Sequence, residues 1–267
     1  MTTTMTQELL VETKDGVLTL TLNRPEVLNS LTMSMMKGIA DALKKAATDK
    51  SVKVLILTAA GRAFCAGADL GDLKKRQSVK NFSLGDELRD HFNPMIAQLR
   101  KLEKPIIGAV NGLAAGAGAS LILSTDLKVC AEKATFVNAF VKVGLVPDSG
   151  MTYFMPRFIG YSKALEHAWL AKPVTAEQAL ASGWVNKVVP AESVLAEAQA
   201  LAADLAKMPP LALALTKRAI NRSLEAASLE DQMEYEAQLQ EVLGKTKDHS
   251  EGVSAFLEKR PPQFKGE

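Results

Sequence analysis

Hydrophobic and polar positions alternate over two short stretches near the start of the chain, Leu9 to Thr13 and Val17 to Leu22, with threonines interleaved among the apolar residues. The Asp15-Gly16 pair between them supplies a two-residue turn, so the pattern predicts a β-hairpin. From Met33 to Ala47 the apolar residues recur at helical spacing, and Thr32 is placed to cap the first turn. Val52 to Thr58, VKVLILT, is instead a nearly unbroken apolar run rich in β-branched residues, which suits a strand buried on both faces. The alternation returns further on, with a strand over Pro105 to Val110, a helix of small residues over Gly116 to Ser124, and a strand over Asp126 to Ala131.

The order strand, helix, strand predicts an α/β core with right-handed crossovers and ligand sites at the carboxyl ends of the strands. From about Tyr161 onward the pattern turns helical, with 3.6-residue periodicity over Ala191 to Ala206, Pro209 to Leu224 and Leu229 to Leu243. Gly183, Pro190, Met208-Pro209-Pro210 and Gly244 punctuate these segments. The charge-dense stretch Asp72 to Lys80 is expected to be a solvated loop rather than a binding arm.

Composition narrows the function. The 267 residues, 47% hydrophobic and 23% charged, are those of an ordinary globular chain. The 32 basic and 30 acidic residues are spread over its length, which leaves no polycationic face for a nucleic acid, although a few local Lys or Arg residues suffice for a small anionic ligand. Cys65 and Cys130 fall in no CxxC pair and are expected to be reduced packing residues. His91, His167 and His249 lie far apart, so no metal site is expected. No apolar run approaches the ~20 residues of a membrane span, and the start, MTTTMTQELLVETKDG, has no basic segment followed by an apolar one. A cytoplasmic protein with no membrane partner is expected.

Two strand ends are unusually rich in glycine and alanine, AGRAFCAGADL and NGLAAGAGAS. Turns so poor in side chains allow close helix–strand packing, and they also let a ligand touch backbone N–H groups at the start of a helix. Ala68 and Ala117 occupy such positions. Two donors converging on one oxygen would stabilise charge developing on a thioester carbonyl. Sequence alone leaves both readings open.

The segments NRPEVLNSLT, AGRAFCAGADL, KPIIGAVNGLAAGAGASLILSTDL, GLVPDSGMTYFMPRFIG, AEQALASGWVNKVV and EGVSAFLEKRPPQF, in this order and covering nearly the whole chain, resemble the motifs of the enoyl-CoA hydratase/isomerase (crotonase) family. The resemblance implies a ββα spiral core over residues 1–195 and a helical trimerisation region over 196–267, assembled as a trimer or a hexamer. It also implies an acyl-CoA thioester substrate, with no cofactor besides the CoA that the substrate carries. On this resemblance Ala68 and Ala117 match the oxyanion-hole donors. Ala66, Asp69, Leu70 and Gly71 match the loop around the CoA adenine and pantetheine, Arg24 lies near the nucleotide, and Phe256 and Lys259 reach CoA from a neighbouring helix or subunit.

Hydratases of the family carry two glutamates that hold and split a water. Ser120 and Phe140 stand in their places here. One acid remains in the right loop, Asp148, at the position used for acid/base chemistry by isomerase branches. The run AFVKVGLVPDSG resembles the ring-1,2-epoxyphenylacetyl-CoA isomerase branch, close to the enoyl-CoA isomerases. Moving a double bond needs one base that removes a proton from one carbon and returns it to another. Val146, Pro147, Met151 and Phe140 are expected to surround Asp148 and raise its pKa, and Ser120 could orient it. The plainer reading makes Asp148 the N-cap of a helix over Met151 to Phe158. The acyl group is expected to lie against Phe140 and the segment from Gln77 to Phe92. Competing functions are a hydratase that uses Asp148 with water, an aromatic dehalogenase, whose substrate-polarising Trp is replaced by Phe140, and a non-catalytic acyl-CoA-binding protein.

Overall fold

In the computed structural model, which describes residues 4–6 and 8–267, the alternating segments at the start pair as expected. β1 (Thr4–Thr6) lies antiparallel to β2 (Leu9–Lys14), which turns through Asp15 and Gly16 into β3 (Val17–Leu22). Both turn residues are left-handed, at φ +50 and +80, so the turn twists with the strands. α1 (Met33–Thr48) follows. The Thr32 hydroxyl accepts from the Met35 N–H at 3.1 Å, and Met35, Met36, Ile39, Leu43 and Ala46 form the buried stripe. β4 (Val54–Ala59) is buried along its whole length and runs parallel to β3.

From here the chain alternates between two sheets. β5 (Ala63–Cys65) opens a second sheet, and α2 (Leu70–Gln77) follows it. This helix replaces most of the loop expected over Asp72 to Lys80. It buries no residue, so it lacks the apolar stripe that betrays a helix in sequence. It is held instead by the Asp69 cap and by Lys74, Lys75 and Arg76 in the last turn, where the helix dipole favours cations. α3 (Leu84–Glu87), a π-helical turn over Leu88–Phe92 and α4 (Asn93–Lys101) lead back to the core, burying Phe92, Met95, Ile96 and Leu99.

β6 (Ile106–Val110) then joins the first sheet beside β4, and β7 (Leu113–Ala115) joins the second beside β5. α5 (Ala117–Leu123) is buried on every side. β8 (Leu127–Ala131) pairs with β6, and β9 (Thr135–Val137) with β7. Each turn of the spiral thus lays one strand in each sheet before the next helix. α6 (Met151–Ile159) and α7 (Tyr161–Leu170) follow. The last third is less purely helical than its periodicity suggests. β10 (Val174–Thr175) and β11 (Lys187–Val189) flank α8 (Ala176–Ala181) and complete the sheets, in the orders β1-β2-β3-β4-β6-β8-β11 and β10-β9-β7-β5.

α9 (Val194–Leu205) packs across β4, β6 and β8, with Val194, Ala198 and Ala202 buried. α10 (Pro210–Ser223), α11 (Leu229–Leu243) and α12 (Lys247–Glu258) complete the chain. Buried Asp248 accepts from the Lys265 and Gly266 N–H groups at 2.7 and 2.8 Å, which folds the tail back along α12. Among the described residues no helix is long and apolar enough to cross a membrane. Cys65 and Cys130 are both buried free thiols.

Candidate active site

Strand register brings the two glycine-rich turns side by side. β5 and β7 are parallel with Cys65 opposite Ala114, so Ala68 and Ala117, each three residues further on, leave the second sheet together. The turns nearly touch. A Cβ on Gly67, itself at φ +103, would stand 3.0 Å from the Ala115 carbonyl oxygen and 3.5 Å from the Ala117 nitrogen.

Backbone pairing decides which N–H groups stay open. The Leu31 N–H donates to the Gly67 carbonyl at 2.8 Å, and the Asp69 N–H donates to the Leu31 carbonyl at 3.0 Å. These bonds occupy the groups on either side of Ala68 and leave its own N–H without an acceptor among the described residues. The Ala117 N–H opens α5 after Gly116, at φ +50, and likewise has no acceptor there. Close packing and open donors therefore coexist in the same turns.

The Ala68 turn is braced from both directions. Asn29, fully buried and left-handed at φ +56, donates to the Ala60 and Ala63 carbonyls at 2.8 Å and accepts from the Arg24 N–H at 2.8 Å. Arg24 in turn donates to Asp69 Oδ2 and to the Ser30 carbonyl at 2.8 Å, and its Nε lies 3.2 Å from Glu8. Asp69 caps α2 by accepting from the Gly71 and Asp72 N–H groups at 3.0 and 3.1 Å. The Arg24 guanidinium, with the Asp72 N–H after it, holds the Asp69 carboxyl below the usual carboxylate range. Ala66 is tied by its N–H to the Leu28 carbonyl at 2.9 Å, whereas Leu70 and Gly71 face outward.

Asp148 meets α5 from the loop that leads into α6. The Ser120 hydroxyl, fully buried one turn into α5, donates to the Asp148 main-chain carbonyl at 3.0 Å, and the Met151 N–H donates to the same oxygen at 3.0 Å. The Asp148 carboxylate does not cap α6. The N-cap is Gly150, with no side-chain cap bond, so the capping role expected as the plainer reading is absent. Instead Oδ1 accepts from the Ser149 hydroxyl at 2.8 Å. Burial pushes the Asp148 pKa up, and the Ser149 bond partly opposes it. Phe140 is buried at the head of a short 3-10 turn, Phe140–Val143, whereas Val146, expected to help surround the carboxyl, is 72% exposed.

Phe256 and Lys259 stand at the end of α12, both exposed, and among the described residues neither makes a polar or ring contact with the Ala68, Ala117 or Asp148 segments. Asn29 and Ser149 went unnoticed in the sequence. For Asn29 a signal existed, since asparagine is the residue most tolerant of left-handed backbone after glycine.

A family model described as enoyl-CoA hydratase/isomerase matches residues 12–267. The chain belongs to that family. Among family members, it is 44% identical over 262 residues to the 1,2-epoxyphenylacetyl-CoA isomerase of Escherichia coli (strain K12), covering 98% of this chain and all of the relative. It is 39% identical over 259 residues to the 2,3-dehydroadipyl-CoA hydratase of the same organism, covering 97% of this chain and 99% of the relative. The solved enoyl-CoA hydratase of Bacillus anthracis superposes with a TM-score of 0.90 at 32% identity, over 98% of this chain and all of the other. The spiral of paired strands and helices with its C-terminal helices is the crotonase fold of these enzymes.

Proposed function

We propose that this enoyl-CoA hydratase/isomerase family member is an acyl-CoA isomerase, with Asp148 as its acid/base. The observation that carries the reading is the Asp148 carboxylate itself. Its backbone is tied to α5 by the Ser120 hydroxyl, and the carboxylate is withheld from the helix cap and raised in pKa by burial, as a base for proton transfer requires. The two residues that stand where a hydratase would carry its water-splitting glutamates, Ser120 and Phe140, are uncharged and buried.

In this mechanism the thioester oxygen accepts from the Ala68 and Ala117 N–H groups, which stabilise the enolate as it forms. Asp148 takes a proton from one carbon of the acyl chain and returns it to another, so the double bond or ring-derived unsaturation moves without net addition of water. The 44% identical isomerase makes 1,2-epoxyphenylacetyl-CoA the first substrate to try. Hydration is the second reading, favoured by the similarity to the 2,3-dehydroadipyl-CoA hydratase.

Incubation with trans-2-enoyl-CoA, 3-enoyl-CoA and ring-1,2-epoxyphenylacetyl-CoA in heavy-oxygen water, with products identified by mass and NMR, separates the two. An isomerase gives a product with no solvent oxygen. A 3-hydroxyacyl-CoA carrying the label at a rate typical of a committed enzyme would replace the isomerase reading with the hydratase one.

A further inference from the structure

The turn that carries Asp148 contains a residue that the proposed chemistry leaves idle. Ser149 is 3% exposed, adopts φ +52, and donates its hydroxyl to Asp148 Oδ1. A residue with a Cβ is disfavoured in this left-handed region, where a glycine would relax the turn. Gly150 beside it, at φ +81, repeats the conformation. The chain thus keeps a buried, strained serine in the turn.

What the hydroxyl does follows from the choices open to its neighbour. Asp148 stands just ahead of α6, whose N-cap Gly150 offers no side chain to the first N–H groups. A carboxylate there is drawn to those donors and to the positive end of the helix. Yet it is the Asp148 main-chain carbonyl that engages the helix, through the Met151 N–H, while the Ser120 hydroxyl ties the same carbonyl to α5. The carboxylate is left to Ser149.

We infer that Ser149 is a positioning residue that holds the Asp148 carboxylate off the N-terminus of α6, in the orientation that proton transfer requires. The inference rests on Asp148 being the acid/base proposed above. Its bond also favours the ionised carboxylate against burial, so the same hydroxyl tunes the base it positions. Neighbouring elements do not compete: α5 has no charged residue, Lys142 in the Phe140 turn is exposed, and Arg157 of α6 donates to the Tyr153 carbonyl at 2.8 Å.

Three substitutions separate positioning from folding. Ser149→Gly removes the hydroxyl and relieves the strain, Ser149→Ala removes the hydroxyl and keeps the strain, and Ser149→Thr keeps the hydroxyl but adds a β-branch where the backbone tolerates it least. In the Gly and Ala variants kcat is expected to fall on the order of ten- to a hundredfold, the scale of a reacting group displaced by about 1 Å. KM for the acyl-CoA should stay within about twofold of wild type. The acid limb of the kcat profile should move to higher pH, because a carboxylate that loses a donor is protonated more readily. Ser149→Thr should lower Tm and leave the acid limb in place. If kcat and the acid limb follow Tm instead of the hydroxyl, or if the Gly and Ala variants match wild type while Asp148→Asn is inactive, the positioning role is overturned alone. An Asp148→Asn enzyme with full activity would remove the acid/base assignment and Ser149's role with it.

Discussion

Gly118 stands so close to Cys65 that a Cβ added to it would lie 2.4 Å from the Cys65 carbonyl oxygen, 2.7 Å from its Cβ and 2.8 Å from its Sγ. Helix α5 is therefore seated on the strand that leads into the Ala68 turn, with no room for a methyl group between them. The Cys65 thiol, pushed up to about 12 by burial, remains neutral and accepts from the Gly67 N–H at 3.4 Å. The close seat of α5 on this strand holds the Ala68 and Ala117 turns side by side.

Gly118→Ala should separate the two turns. Overpacking of this kind typically costs about 1–3 kcal/mol, so thermal unfolding should register it. Because the Ala68 and Ala117 donors would part, kcat should fall further than stability alone explains. A variant that unfolds earlier but turns over at the wild-type rate below its Tm would show that the spacing of the turns does not matter to the chemistry.

Asp148→Asn should leave the fold intact, because the carboxylate caps nothing and the main-chain carbonyl that holds the turn is retained. Its folded pKa is raised, so the ionised form is a liability to stability above the unfolded pKa, and the neutral amide removes it. Tm at neutral pH is expected to be unchanged or higher while kcat drops by roughly 10²–10⁴-fold, as for a lost general base. In the wild type, activity should fall toward acid pH through a pKa above the ordinary aspartate value. A pH profile flat down to that ordinary value would contradict the role.

Arg24 and Lys259 should part company. Lys259 is exposed, so Lys259→Ala is expected to raise KM for acyl-CoA with little change in Tm or kcat. Arg24 ties Glu8, Ser30 and Asp69 together, so Arg24→Ala should lower Tm as well as raise KM. The Asp69 pKa is depressed, so the stability it contributes is present above its unfolded pKa and lost as pH falls through the folded one. The gap in Tm between wild type and Arg24→Ala should therefore narrow in strong acid; a gap constant with pH would assign the loss to packing.

Large apolar side chains remain uncovered on the later helices, including Trp169, Leu229, Phe256 and Leu257, each at least two-thirds exposed. Two of them, Phe256 and Leu257, line an apolar groove of about 540 Å³ between α10, α11 and α12. Patches of this kind are normally buried against a partner, and a trimer or hexamer of this chain is expected. Light scattering at micromolar concentration should report a mass well above the 28.7 kDa of one chain; a monomer would rule the assembly out.

Legibility in the sequence tracked the length of each element and the burial of one face. The hairpin, the Thr32-capped helix and the wholly apolar β4 were readable because each repeats its pattern over six residues or more. The second sheet was not, since β5, β7, β9 and β10 hold only two or three residues each, too few to show a period. α2 escaped because it buries nothing. At the site, residue types pointed to the two glycine-rich turns, but the openness of the Ala68 N–H depends on a single bridge to Leu31, between residues far apart in sequence. The idle cap of α6 was likewise invisible, because Asp-Ser-Gly has the composition of a capping sequence, and only the folded turn shows Gly150 at the N-cap and the carboxylate bonded to Ser149.

The packing of α9 on β4, β6 and β8 ties the earliest buried strand of the sheet to a helix made near the end of synthesis. From Val54 to Val194 a ribosome moving at about 5–20 residues per second takes roughly 7 to 28 s. Throughout that interval the face of β4 that α9 will cover lacks its native cover. The native cover of this apolar strand therefore arrives many seconds after the strand itself.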